Sequence, residues 1–257
     1  MKIVSWNING IRAALKKDHL KNFVLSEKPD IIAFQEIKAE EKDVILSEHF
    51  EGYSSIWNSA QKRGYSGTLI LTQIAPNDFS IGIDKNEKEG RVIICKFDDF
   101  TLLNIYFPNG KRNIDRLNYK IQFYKDFIKF VNKLKKENAN IIVLGDFNTA
   151  HQRIDLARPN TNKNVSGFLE EERKLLDELI ETGFIDTYRF KHKDKIQYTW
   201  WDQISHARER NVGWRIDYIF ISNNMKDKLK SATIHDKVYG ADHCPISIEL
   251  ENPHISI

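Results

Sequence analysis

Short apolar runs that read as β-strands recur along the whole chain, and they limit the folds open to it more than any other feature. They fall at Val4, Ile32, Ser55–Trp57, Thr68–Thr72, Arg91–Phe97, Thr101–Phe107, Ile141–Leu144, Tyr198–Trp201, Ile216–Ser222, Ala232–His235 and Ile246–Leu250. That is about as many strands as two packed sheets require. Helical periodicity appears near His19–Ser26, over Asp115–Lys136 and over Glu170–Thr182. In the long middle segment Leu117, Ile121, Tyr124, Ile128, Val131 and Leu134 recur at steps of three or four, giving one apolar face of the kind that covers a sheet. Two sheets face to face with helices outside them make a four-layer α/β sandwich, an arrangement these patterns permit without dictating.

Five polar clusters punctuate the runs: SWNINGIR at Ser5–Arg12, QEIK at Gln35–Lys38, GDFNTAH at Gly145–His151, WRIDYIFIS at Trp214–Ser222 and GADHCP at Gly240–Pro245. A polar residue closing a buried run marks the rim where a strand leaves the core. Any one of them would be an ordinary turn. Several strand ends carrying metal- or phosphate-compatible groups together suggest a metal-assisted phosphodiesterase. A bare carboxylate about 4 Å from a phosphate costs roughly 4 kcal/mol at an effective dielectric of 20, so acids aimed at an anionic substrate need a cation. The donors are oxygen-rich, which suits Mg²⁺ or Mn²⁺ and argues against structural zinc. Phosphodiester hydrolysis is slow, and one acid or base supplies only about 10²–10⁴. A metal, an activated water and oxyanion donors must therefore act together.

Composition is that of a globular chain, and residues 1–257 are expected to form one domain. The net charge of +3 does not by itself announce a nucleic-acid binder. Local basic groups at Lys62-Arg63, at Lys111-Arg112 with Arg116, and at Arg208, Arg210 and Arg215 read individually as solvated loops. Cys95 and Cys244 show no disulfide or CxxC pattern and are expected to be buried and reduced. The strand beginning at Met1 leaves no room for a secretory signal, and no run approaches bilayer length. A soluble cytoplasmic protein with no membrane partner is expected, monomeric by default.

With YFPNG at Tyr106–Gly110, these motifs occur in the order found in the exonuclease III family of abasic-site endonucleases, which the sequence resembles from Lys2 to about Leu250. The resemblance implies two mixed sheets in the DNase I-like arrangement. It also implies a Mg²⁺-dependent endonuclease, with Mn²⁺ able to substitute, that cuts double-stranded DNA 5′ to abasic sites and leaves a 3′-hydroxyl and a 5′-deoxyribose phosphate. A 3′–5′ exonuclease and removal of 3′ blocking groups are implied side activities.

Carried over by motif, Glu36 is the principal metal ligand with Asn7 beside it. Asp242 lies near the same or a second cation, and Asp146, Asn148 and His243 complete the metal-proximal set. Asp146 positions and deprotonates the attacking water, and Asn148 orients it. His243 hydrogen-bonds a phosphate oxygen while Asp217 holds the imidazole. Tyr106 lies against the scissile phosphate, which Asn109 also contacts. Trp200, Trp214 and Ile216 match the apolar pocket for the bare sugar, and Arg12, Lys17, Tyr65, Arg112 and Ile204 match positions along the DNA.

Alternatives stand beside these roles. Tyr106 and Trp200 could be core aromatics, and Asp217 a surface partner of Arg215. Three departures narrow the carry-over: Asn9 stands where some relatives have Asp, Val165 where several have Asn, and Trp200 where others have a smaller aromatic. The competing functions are a same-fold phosphodiesterase or phosphatase on another ester, incision beside damaged bases such as uracil, and a catalytically silent DNA-binding module.

Overall fold

A computed structural model describes residues 1–84, 87–137 and 139–251. One six-stranded sheet has the order β13 (Leu229–Ile234), β14 (Ile246–Leu250), β1 (Lys2–Asn7), β2 (Ile31–Gln35), β4 (Thr68–Thr72), β3 (Ser54–Asn58). The other has the order β5 (Asp78–Ile81), β6 (Val92–Lys96), β7 (Thr101–Tyr106), β8 (Ile141–Asp146), β12 (Asp217–Ser222), β9 (Phe184–Asp186). Each sheet is mixed: β1/β2 and β7/β8 are parallel and their other pairings antiparallel.

The period-two alternation of a strand explains why the central runs are apolar throughout. Ile3, Ile31, Ala33, Leu102, Ile142 and Leu144 point into the core between the sheets. Their neighbours Val4, Ile32 and Phe34 face helices α1 (Ile11–Leu15) and α2 (Asp18–Glu27). On the other side Leu103, Ile141 and Val143 meet α3 (Ile114–Glu137) and α5 (Glu170–Glu181). Four layers result, and the expected apolar face of α3 is the one buried. Two short helices, α4 (Pro159–Asn162) and α6 (Thr187–Lys191), lie in the connections.

Two strands escape the apolar pattern. Every residue of the edge strand β5 is exposed, and β9 is only three residues long. The Tyr198–Trp201 run joins neither sheet; it supplies β10 (Trp200–Trp201) to a ribbon with β11 (Gly213–Trp214), which pairs Trp200 with Trp214. Cys95 and Cys244 are buried and free. Among the described residues no helix is long and apolar enough to cross a membrane.

Because β1/β2 and β7/β8 are parallel pairs, their C-terminal ends emerge together. Asn7 lies opposite Gln35, one residue before Glu36, and Asp146 lies opposite Tyr106 on one side and Asp217 on the other. Gly145 makes the approach of β8 to β7 possible. Its φ is +142°, and a Cβ there would sit 1.8 Å from the Ile105 carbonyl oxygen, so no side chain fits.

Candidate active site

Asp146 is the hub of the strand ends and is buried. Asn7 Nδ2 donates to its Oδ2 at 2.9 Å and to Glu36 Oε2 at 3.2 Å, joining the two sheets. The Asn148 amide donates to Asp146 Oδ1 at 2.8 Å, and Asn109 Nδ2 donates to Asn148 Oδ1 at 3.1 Å. Asn9, Glu36, Lys38 and Asn148 all have positive φ, between 48° and 55°. That conformation costs a non-glycine residue roughly 1–2 kcal/mol, and its concentration here marks a site whose geometry the surrounding fold imposes.

The imidazole of His243 is held from both sides. Its Nδ1 meets Asp217 Oδ2 at 2.8 Å, and its Nε2 lies 3.8 Å from Asp146 Oδ2. Trp6 Nε1 donates to the His243 carbonyl at 3.1 Å and fixes the backbone. Burial alone would lower the histidine's pKa, but Asp217 and Asp146 outweigh it and push it up to about 10. Burial raises Asp146 to about 7 despite the opposing pull of His243. Burial also raises Tyr106 well above the ordinary phenol range, so the tyrosine keeps its proton. The Arg91 guanidinium lies 4.7 Å from its ring centroid, and Arg91 Nη1 donates to its carbonyl at 2.8 Å.

Carboxylate and carboxamide oxygens converge beside this cluster. Asn9 Nδ2 donates to Asp242 Oδ1 at 3.0 Å, while Asn7 Oδ1 accepts the Asn9 amide at 3.0 Å. Burial pushes the Asp242 carboxyl up, but His243, Trp200 and Asn9 together hold it below the usual carboxylate range. Lys38 Nζ pairs with Glu36 Oε1 at 3.0 Å and also bonds Asn9 Oδ1, so a cationic group already sits among these oxygens. A hard-oxygen set that attracts an ammonium fits Mg²⁺ or Mn²⁺. Donor atoms of Asp146, Asp217 and His243 also lie within 4.8 Å of one another. There, however, a charged imidazole has no lone pair to offer, and the geometry favours His243 as a hydrogen-bond donor.

A cleft of about 580 Å³ joins these groups to an aromatic wall. It is lined by Glu36, Tyr65, Tyr106, Asn109, Arg112, Asp146, Asn148, Trp200, Trp214, Ile216, Asp242 and His243. The Trp200 and Trp214 rings meet edge-on with centroids 6.4 Å apart, and Trp200 Nε1 donates to Asp242 Oδ2 at 3.0 Å. Gly167, at φ +100°, backs Trp214; a Cβ there would come within 3.2 Å of the ring.

Asn7 and Asp217 lie beneath the surface and act on the groups above them. Arg12 lines a separate recess that shares Lys38, Lys17 Nζ donates to the Gly240 carbonyl at 3.0 Å, and Ile204 is 92% exposed on a loop. Val165 does not line the cleft.

Several cleft residues had no assigned role in the sequence. Lys38 was visible two positions after Glu36 in QEIK. Lys62, Lys111 and Arg116, which read as solvated loop residues, all line the cleft. Glu89 joins Arg91 and Arg116 at 2.6 and 2.8 Å, with the Tyr65 hydroxyl accepting from Arg116 Nη2 at 3.2 Å. Arg215 is not a partner of Asp217: it is buried against Asp155 and Asp186, both at 2.7 Å.

Residues 4–243 match the model of the Endonuclease/Exonuclease/phosphatase family, and the chain belongs to that family. It is 37% identical to an exodeoxyribonuclease of Bacillus subtilis (strain 168), over 96% of this chain and 98% of that one. It is 40% identical to the DNA repair nuclease APEX1 of Danio rerio, over 97% and 82% of the two chains. An AP endonuclease from Archaeoglobus fulgidus superposes with a TM-score of 0.89 at 28% identity, covering 98% of this chain and all of that one.

Proposed function

We propose that this protein is a DNA-repair nuclease that hydrolyses the phosphodiester 5′ to abasic sites in double-stranded DNA, leaving a 3′-hydroxyl and a 5′-deoxyribose phosphate. The observation that carries this reading is one cleft with phosphate chemistry at one end and an aromatic wall at the other. Relatives named as exodeoxyribonuclease and DNA repair nuclease support it, and 3′–5′ exonuclease and 3′-end-cleaning side activities are part of the same proposal.

Mg²⁺ bound among Glu36, Asp242, Asn7 and Asn9 would neutralise phosphate charge and stabilise the developing oxyanion. The chain's own groups do the rest. Asp146, whose raised pKa brings it near neutrality, takes a proton from the attacking water, and Asn148 and Asn7 fix its carboxylate. His243, kept charged and oriented by Asp217, donates to a phosphate oxygen. Tyr106 keeps its proton for the leaving oxygen, and Asn109 contacts the same phosphate. Trp200, Trp214 and Ile216 receive the sugar. An abasic nucleotide turns out of the helix at lower cost than a paired one, and bulky walls exclude a normal base. Lys62, Arg112 and Arg116 in the cleft, with Arg12, Lys17 and Ile204 outside it, lie along the duplex, where phosphate contacts add affinity without sequence preference.

The test is an end-labelled duplex with one tetrahydrofuran abasic analogue, incubated with Mg²⁺ or EDTA beside undamaged and uracil-containing duplexes. Metal-dependent cutting on the 5′ side of the analogue is expected. No cutting by folded, metal-loaded protein defeats the proposal and directs attention to other phosphate esters.

A further inference from the structure

Lys111 occupies the sugar end of the cleft in an unusual way. Its Nζ lies 4.7 Å from the Trp214 ring centroid and 5.0 Å from that of Trp200, over both of the rings proposed to receive the sugar. Among the described residues no carboxylate stands within ion-pair distance of this amine; Glu172, Asp202 and Asp146 act on it only through space. Its backbone is tied to the phosphate end, since the Lys111 amide donates at 2.9 Å to Asn109 Oδ1, and Asn109 bonds Asn148. The lysine is thus built into the site. Three other basic residues in the cleft are matched to acids, Arg91 and Arg116 to Glu89 and Lys38 to Glu36.

An abasic deoxyribose differs from every intact nucleotide in its chemistry as well as its shape, because its ring opens to an aldehyde at C1′. We propose that the Lys111 amine adds to this aldehyde when the sugar lies against Trp200 and Trp214, forming a reversible imine that holds the lesion covalently. The inference rests on the abasic reading of the cleft. The Nζ lone pair attacks C1′, the carbonyl π pair moves to oxygen, and a proton passes from nitrogen to that oxygen to give a carbinolamine. Loss of water then leaves the C=N bond, and return of water releases the sugar unchanged. Burial lowers the pKa of the amine, the through-space carboxylates notwithstanding, which raises its neutral fraction.

Sodium borohydride, which delivers hydride to an imine carbon and makes the link permanent, provides the test. Wild-type protein in EDTA is mixed with a duplex carrying an aldehydic abasic site, and in parallel with the tetrahydrofuran analogue, which has no aldehyde. A covalent protein–DNA species with the aldehydic duplex only, mapped by peptide mass spectrometry to Lys111, is expected. Lys111→Arg keeps the charge but cannot form an imine and should lose that species. The mapping on wild-type protein decides the matter however well the variant binds. Absence of an adduct from protein that incises the tetrahydrofuran duplex in Mg²⁺ would overturn the inference and leave the abasic reading intact, as would an adduct confined to another lysine. Failure to incise that duplex would overturn the abasic reading, and this inference with it.

Discussion

Arg215 and Asp217 stand two residues apart and serve two buried charge clusters that behave in opposite ways. In one, Asp155 accepts from Arg215 at 2.7 Å and from Arg189, while Asp186 accepts from Arg215 at 2.7 Å. Burial pushes the Asp155 carboxyl up, but the two guanidinium groups overcome it and hold it down at about 2. In the other, Asp146 and Asp217 share one imidazole, and burial leaves Asp146 at about 7. The residue types are similar and the burial is comparable. What differs is the ratio of cations to acids: two arginines serve two aspartates in the first cluster, and one histidine serves two in the second. A matched cluster locks loops together, whereas an acid-rich one is poised to accept a proton.

The largest effect expected from breaking this contrast is on chemistry. Asp146→Asn should lower kcat on abasic duplex by about 10²–10⁴-fold, the range lost with one acid–base group, while duplex binding and the thermal midpoint are retained. Single-turnover incision beside a gel-shift titration and a melting curve would check this. A large loss of binding would place Asp146 in substrate recognition instead. Asp155→Asn should do the reverse, leaving two buried guanidinium groups short of a partner and destabilising the fold by about 3–5 kcal/mol. Chemical denaturation measures the loss, and the surviving folded fraction should incise at near the wild-type rate.

Acid should separate the clusters more gently. Because the folded pKa of Asp155 is depressed, its contribution is fully present above the unfolded carboxylate value near 3.9 and is lost as pH falls through about 2. Roughly 2 kcal/mol should disappear across that window, and Asp155→Asn should flatten this part of the stability–pH curve. The smallest effect concerns the rim. Arg12→Ala or Lys17→Ala should each reduce the salt dependence of duplex binding by about one phosphate contact, without changing the metal requirement. An unchanged salt slope would remove that residue from the DNA path.

Much of the fold could be read from the chain because its central strands are buried on both faces. Runs such as Ile31–Phe34 and Ile141–Leu144 leave little choice but an inner strand, and the six apolar positions of α3 from Leu117 to Leu134 mark one covered face. Strand β5 carries no such signal, since all its residues face solvent and only backbone pairing to β6 makes it a strand. The site was legible at Asn7, Glu36, Asp146 and Asn148 because each closes or follows an apolar run at a sheet rim. Lys111 was not, because a lysine in a polar loop looks the same whether it meets water or two tryptophans. Arg215 was misleading for a related reason: its nearest carboxylate along the chain is Asp217, while its partners Asp155 and Asp186 lie 60 and 29 residues away.

The sequence by itself determined most of the inner strands and the long helices, the oxygen-rich donor set at the strand ends, and the family to which the motif order belongs, because these depend on periodicity and residue type along the chain. Only the tertiary structure decided which charges neutralise which, that Trp200 and Trp214 pair across a ribbon outside both sheets, and that Lys111 lies over both of their rings. Those properties depend on distances between segments far apart in the chain, and on the removal of water around them, neither of which a local pattern of residues encodes.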